Sequence, residues 1–235
     1  GRNVHGGIAV AAFSVDNPTV MTTRTIGSAN TDSASILTMD DQYIYIIGDR
    51  QAEVAGRRDL WIAKLDLNLN VVRQLIVNSG ANQFGNSARI SALGTLIVTS
   101  STFNGSMWLA TIWEMDKDLN ILSSRRLISN QSSSLNVVDD GLLVGMVGEF
   151  IGNSNIADGA FLALPRRVAD VPIVSFPHFS PLEFVENTAW TARYDLGAVA
   201  TATVFTVEPA ALSVTTHELP IISTGSDLVT AFEEY

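Results

Sequence analysis

A polar turn flanked by two apolar strands recurs along this chain at a nearly constant interval, and that recurrence limits the fold more than any other feature. The clearest copy is residues 59–77, DLWIAKLDLNLNVVRQLIV. An echo occupies 107–128, MWLATIWEMDKDLNILSSRRLI, and fainter copies occupy 7–26, 160–176 and 198–222. The turns open at Asp16, Asp66, Asp116, about Pro165 and Glu208, in steps of 50, 50, 49 and 43 residues. Repetition on this scale belongs to chains that stack one supersecondary unit many times, because a single unit cannot bury its own apolar face.

The unit is built of strands. Apolar runs last roughly four to eight residues and stop at Gly, Asn, Asp or Pro, without the three- and four-residue spacing of a helix. With 46% hydrophobic and 16% charged residues the chain is globular, since disorder needs the opposite balance. A strand pair at 35–39 and 43–48, bent at Asp40-Asp41, precedes the hairpin at 59–77 after a polar loop at 49–58, so one full unit has four strands. The next comprises 88–93 and 95–100 about Gly94, then the hairpin at 107; a third comprises 135–138 and 142–149, then the hairpin at 160. Beyond Pro181 the match loosens, but 182–185, 188–194, 198–207 and 212–222 are expected to supply four strands more.

The tail at 227–235, DLVTAFEEY, resembles 35–43, SILTMDDQY, the opening strand of the first full unit. The chain thus begins with the closing half of a unit and ends with an opening strand. The expectation is an all-β domain over 1–235: a β-propeller of about five four-stranded blades, closed by N- and C-terminal strands in one blade. Five units averaging 47 residues account for the 235. One strand of the first unit is unaccounted for. Either that sheet is short, or a piece is missing, or a neighbouring chain donates a strand and the protein self-associates. The short sheet is the simplest of these.

The stretch D-L-W-I-A-K-L-D-x-N-x-N-V-V at 59–72 resembles the blade motif of bacterial and archaeal β-propeller repeat proteins, D-x-W-[IV]-x-K-[LF]-D-x-x-G-N-[IV]. Trp61, Lys64, Leu65, Asp66, Asn70 and Val71 carry the resemblance. The copy at 107–128 keeps Trp108, Asp116, Asn120 and Ile121 but has Glu114 in place of the lysine. Leu69 and Leu119 stand where the motif has Gly, and Pro165 where it has Asp. The resemblance implies a fold and leaves function open.

The chemistry is sparse. A net charge of −10 disfavours nucleic acid, which needs clustered cations to displace counterions. The pairs Arg57-Arg58, Arg125-Arg126 and Arg166-Arg167 read as solvated edges or partners for nearby acids. No cysteine is present, so thiol catalysis and thiolate metal sites are excluded. No apolar run approaches the ~18 residues of a membrane-spanning helix. The first residues show neither an initiator Met nor a signal pattern, so a trimmed product is expected.

Asp66-x-Asn68-x-Asn70 and Asp116-x-Asp118-x-Asn120 resemble the first half of a calcium loop, but the following glycine and distal glutamate are missing. Asp and Asn at a hairpin turn have a simpler duty, bonding their own backbone. His5, His178 and His217 have no metal-ligand spacing, and no G-x-S-x-G elbow occurs. Neither metal nor cofactor is expected. Asp40, Asp41, Asp139, Asp140, Glu233 and Glu234 fall at equivalent turns; five-bladed glycosidases place acids in a central funnel, but turn chemistry explains the spacing more directly. Trp61, Trp108, Trp113 and Trp190 could stack on sugars if exposed, although packing between sheets is the expected duty of Trp61 and Trp108.

Recognition is expected in the loops 49–58, 78–86, 103–106 and 151–158. The candidate ligand-binding residues there are Asp49, Arg50, Arg57, Arg58, Asn82, Gln83, Asn104, Asn153 and Asn155. The leading expectation is a non-enzymatic binding or assembly module, extracellular or on a cell or particle surface, with a protein or glycan partner. A carbohydrate-active enzyme and a virion or surface-filament subunit are the alternatives.

Overall fold

The computed structural model describes residues 7–13, 16, 21–26, 32–52, 56–129, 132–139, 144–151, 157–164, 167–170, 182–188, 190–195 and 201–202. The expected closing strand 227–235, most of the hairpin 198–222, the three histidines, Asn153 and Asn155 lie outside the described residues.

The described chain is all-β. Its strands are β1 (Ile8–Phe13), β2 (Met21–Ile26), β3 (Ser33–Met39), β4 (Tyr43–Gln51), β5 (Arg58–Asp66), β6 (Val71–Asn78), β7 (Gln83–Ile90), β8 (Leu96–Phe103), β9 (Trp108–Met115) and β10 (Ile121–Ser129). They continue as β11 (Ser132–Asp139), β12 (Val144–Ile151), β13 (Ala157–Leu164), β14 (Leu182–Glu186), β15 (Thr191–Asp195) and β16 (Thr201–Ala202), with one 3-10 turn at Val168–Asp170. Among the described residues no helix is long and apolar enough to cross a membrane.

The strands form four sheets, antiparallel throughout, ordered β1-β2-β16, β15-β6-β5-β4-β3, β14-β10-β9-β8-β7 and β11-β12-β13. The expected four-stranded units therefore exist at β3–β6 and β7–β10. The expected sheet from residues beyond 181 does not: β14 pairs with β10, β15 with β6 and β16 with β2. After β13 the chain returns along the outer edges of the third, second and first sheets in turn. A last strand leaves its outward N–H and C=O groups unpaired, and an added strand satisfies them; that need outweighs the weak local pattern of a separate unit.

Consecutive sheets pack face to face. The alternate residues Tyr45, Ile47, Leu60, Ile62, Leu75 and Val77 of the second sheet meet Ala88, Leu96, Val98, Trp113 and Met115 of the third. The opposite parity, Ile44, Ile46, Trp61, Ala63 and Ile76, meets Ile8, Val10 and Ile26 of the first. Burial on both faces explains why β4 and β5 read as continuous apolar runs. Each large side chain buried there contributes roughly 1.5–3 kcal/mol. Thr99, on the far face of the third sheet, donates its hydroxyl to Leu135 O of the fourth at 2.7 Å.

The hairpin turns explain the two departures from the blade motif. Asp66 Oδ1 accepts the N–H groups of Asn68 (2.9 Å) and Asn70 (2.8 Å), and Oδ2 accepts Asn70 Nδ2 at 2.8 Å. Asp116 repeats all three bonds with Asp118 and Asn120. The turn reading of these residues thus has a full set of bonds behind it. Leu69 and Leu119 adopt φ of 63° and 62°, the left-handed conformation for which glycine is preferred. Both are fully buried, each wedged into the interface with the preceding sheet. Burial of the leucine side chain outweighs a conformational cost of ~1–2 kcal/mol.

The same turn is gripped from the side. Lys64 of β5, only 3% exposed, lies 3.8 Å over the Tyr43 ring and reaches Asp118 Oδ1 at 2.9 Å. Lys117 pairs with Asp40 at 2.9 Å, and Arg73 donates to Asn120 Oδ1 at 3.2 Å. Glu114, the residue fifty positions after Lys64, accepts the Val168 N–H at 2.8 Å, fifty positions after Asp118. The third sheet thus holds the segment that follows it by the relation through which the second holds the third. The fifty-residue offset corrects one alignment: Thr111, not Trp108, is the counterpart of Trp61. Trp108 instead packs between Phe84 and Phe103 at 5.2 and 5.1 Å, whereas Trp61 packs between sheets as expected.

Two outcomes follow. In urea unfolding, Leu119→Ala should lower stability by ~2–5 kcal/mol, and Leu119→Gly by about 1 kcal/mol less, because glycine relieves the left-handed strain that alanine keeps. The Lys64 ammonium, by hydrogen bond and charge, holds the Asp118 carboxyl below the usual carboxylate range. A depressed carboxyl stabilises the fold above its unfolded value near 3.8 and ceases to do so as pH falls through its folded value. Asp118→Asn should therefore lower Tm at pH 7, and the gap from the wild type should close as the solution is acidified below that range.

Candidate functional site

The loops divide between the two ends of the sheets. Turns after β3, β5, β7 and β9 lie at one end and are held by the contacts above. The connections after β4, β6 and β8, which hold the expected candidates, lie at the other. They touch: Asn82 Oδ1 accepts the Arg58 N–H at 2.9 Å, and Asn82 O accepts the Phe103 N–H at 2.8 Å.

Four candidates are not loop residues. Asp49 and Arg50 belong to β4, Arg58 opens β5 and Gln83 opens β7. Gly48 does not end its strand. It admits a bulge of β3 between Ala34 and Ile36, where a Cβ would lie 1.8 Å from Ser33 O, and β4 runs on to Gln51. The polarity of the charged three suggested a loop because the pairing of Asp49 with Arg58 and of Arg50 with Asp32 is made only when the strands are side by side. Arg50 Nε and Nη2 donate to Asp32 Oδ1 and Oδ2 at 3.2 and 3.3 Å, a fork on a carboxylate that is fully buried. Arg58 Nε bonds Asp49 Oδ2, and its Nη2 reaches Asp49 O at 3.2 Å and Ser33 Oγ at 3.4 Å. The expectation that an arginine pair would meet nearby acids holds for Arg58.

The remaining candidates divide. Arg57 Nη1 donates to Gly80 O at 2.6 Å, tying the loop after β4 to the loop after β6. Gln83 is fully buried, with Nε2 3.3 Å from Ser100 Oγ. Asn104 spends its Oδ1 on its own turn, accepting the N–H groups of Ser106 and Met107 at 3.0 and 2.9 Å. Asp49, Arg50, Arg57, Arg58 and Asn82 thus lie close together, Gln83 is interior and Asn104 is a turn former.

A cavity of about 190 Å³ opens at this end of the second sheet. Arg50, Gln51, Asp59, Asn78, Thr191 and Arg193 line it, over an apolar floor of Ala52 and Ile76. Sequence reasoning found Arg50 alone of the charged members. Thr191 and Arg193, expected in another sheet, enter because β15 adds to β6, with Arg193 opposite Ile76; no local signal marks that pairing. Asp59, the first residue of the expected hairpin, is buried at the cavity wall.

The arrangement provides the guanidinium groups of Arg50, which pairs with Asp32, and of Arg193, beside the buried Asp59 carboxylate and the amide and hydroxyl groups of Gln51, Asn78 and Thr191. Guanidinium groups of this kind suit a carboxylate or sulfate. Among the described residues no three His, Asp or Glu side chains come together as metal ligands. Asp32 and Asp49 are each bound to an arginine. Of the acids expected at equivalent turns, Asp40 Oδ1 accepts the Gln42 and Tyr43 N–H groups at 2.9 and 2.8 Å. Burial raises its pKa, but those bonds and Lys117 outweigh burial and hold the carboxyl below its usual range. Asp140, Glu233 and Glu234 lie outside the described residues.

Neither a scan against protein-family models nor a search of curated proteins finds a match to this chain.

Because Asp32 is wholly enclosed, Arg50→Ala should destabilise the protein by ~3–5 kcal/mol. The double replacement Asp32→Asn with Arg50→Met should recover most of that loss in a denaturant titration.

Proposed function

We propose that the protein is a β-propeller of about five blades that works without catalysis, as a recognition or assembly module outside the cytoplasm or on a particle surface. Its partner is a protein or glycan that presents an acidic group to the loops after β4, β6 and β8. The fold part of this reading draws on two supports. Both the 64-to-118 and 114-to-168 contacts span the same sequence separation, as a rotational series of sheets requires. The blade motif at 59–72 points the same way.

The functional part is carried by one observation, the cavity that Arg50 and Arg193 line together with Asn78 and Thr191. In a chain of net charge −10 a local pair of guanidinium groups is a selective feature. An enzyme would need a pair of acids, and two of the carboxylates near the candidate loops, Asp32 and Asp49, are engaged with arginines.

The test is an array of sulfated, uronate-bearing and neutral glycans together with acidic peptides, probed at two salt concentrations with the wild type and with Arg193→Ala. Arg193 is exposed, and the thermal midpoint of the variant is measured beside that of the wild type. Retention of acidic probes should weaken with salt and fall about tenfold in the variant, the scale of one charged contact. Equal retention by both proteins, or release of sugar from the bound glycans, would refute the reading.

A further inference from the structure

Two asparagines in this chain stand two residues before a serine or threonine without an intervening proline, in Asn104-Gly105-Ser106 and Asn130-Gln131-Ser132. Asn-x-Ser/Thr is the pattern at which cells join an oligosaccharide to an asparagine side chain. So short a pattern arises often by chance, and its meaning depends on the structure around it. Asn130 and Gln131 lie outside the described residues. Asn104, Gly105 and Ser106 lie in the turn between β8 and β9, at the end of the sheets that carries the candidate loops, and all three are exposed.

The turn is built around the Asn104 carboxamide. The Asn104 N–H donates to Met107 O at 3.0 Å, which closes the loop. Asn104 Oδ1 accepts the N–H groups of Ser106 and Met107 at 3.0 and 2.9 Å, and the Ser106 hydroxyl at 3.1 Å. None of these bonds uses Nδ2. At the opposite end of the sheets Asn70 and Asn120 also shape turns, but they commit Nδ2 to Asp66 and Asp116 at 2.8 and 2.7 Å. Neither is followed by the required hydroxyl. Gly105 has φ of 103°, and apart from its chain neighbours no heavy atom lies within 4 Å of where a Cβ would stand. The tip of the turn thus faces open space.

We infer that Asn104 is an N-glycosylation site, with Nδ2 as the acceptor of an oligosaccharide. The donor is an oligosaccharide carried on a lipid pyrophosphate. Its anomeric carbon forms a C–N bond to Nδ2 while its bond to the pyrophosphate oxygen breaks; the pyrophosphate keeps that electron pair, and Nδ2 gives up one proton. The product retains Oδ1 and one N–H on Nδ2. The three bonds to Oδ1 that shape the turn therefore survive the modification, and the exposed tip has room for a bulky, hydrated group. Transfer of this kind takes place outside the cytosol, so the inference rests on the extracellular part of the proposed function.

The full chain is expressed behind a cleavable signal sequence in cultured eukaryotic cells, and the secreted protein is digested with trypsin. Cleavage after Arg89 and Lys117 gives the peptide 90–117, in which Asn104 is the single asparagine. That peptide should carry the added mass of a glycan, and enzymatic release of the glycan in heavy-oxygen water should leave labelled aspartate at 104. Ser106→Ala should lose the addition and Ser106→Thr should keep it. Asn104→Asp should lose it as well while keeping Oδ1 as an acceptor, and its thermal midpoint should match that of the glycosylated protein. A bare peptide 90–117 from the secreted wild type, or an addition that persists in Ser106→Ala, would overturn the inference. So would a glycosylated protein that melts well below Asn104→Asp, because the turn would then not tolerate the group. The signal sequence delivers the chain whatever its natural location, so a bare Asn104 counts against the site and leaves the extracellular reading standing.

Discussion

Everything else in the described fold depends on how the turn at 116–120 is held by the sheet before it. Leu119 is wedged into the core of the interface in a backbone conformation that its Cβ disfavours. Around it, Asp118 takes Lys64, Lys117 takes Asp40, and Asn120 takes Arg73. The backbone carbonyl of Lys117 receives the Tyr45 hydroxyl at 3.4 Å. An apolar wedge alone would allow two sheets to slide, since hydrophobic contact is not directional. The surrounding charges and hydroxyls fix the register between them. The buried Lys64 ammonium is tolerated because the Tyr43 ring and the Asp118 carboxylate replace the water it gave up.

The fifty-residue echo of this contact shows which part of a repeat is constrained. At position 64 the reaching side chain is a cation that finds a carboxylate; at 114 it is an anion that finds a backbone N–H and the hydroxyls of Thr95 and Ser123 at 3.3 Å. Charge sign has been exchanged while the geometric role has stayed. At both positions a long polar side chain reaches the next unit, so the two copies agree in reach and differ in residue type. For the same reason glycine is dispensable at 69 and 119. A residue that fills the interface contributes more than one that relaxes the turn.

These considerations explain what could be read in the amino-acid order. The period, the strands β3–β10 and the turns at Asp66 and Asp116 were legible because each rests on local chemistry: alternation, strand-breaking residues, and a side chain bonding its own backbone. Strands β14–β16 were legible as strands, but their partners were not. Which edge a strand joins is decided by non-local needs for hydrogen bonds, and the sequence near 182–202 carries no trace of the edges at β10, β6 and β2. The polar stretch at 49–58 misled for a related reason. Asp49 and Arg50 look solvated until the folded sheet pairs them with Arg58, at the far end of the same stretch, and with Asp32. Five of the nine candidate site residues gather at one end, but the cavity beside them needs Thr191 and Arg193, which the returning chain supplies.

That return has a consequence for how sites arise in such a molecule. Residues 182–195 are placed by main-chain pairing to β10 and β6, a requirement that is nearly indifferent to side-chain identity. Asn187, Thr188 and Trp190 line a neutral cleft at the outer edge of the third sheet, and Thr191 and Arg193 line the charged cavity, so one short run supplies walls to both. The stacked sheets are constrained on both faces and at their turns, and few of their residues can change without disturbing an interface. The returning segment packs on one side only, with Thr191, Arg193 and Tyr194 exposed. It is the part of the described chain where new side chains cost the fold least, and both clefts draw on it.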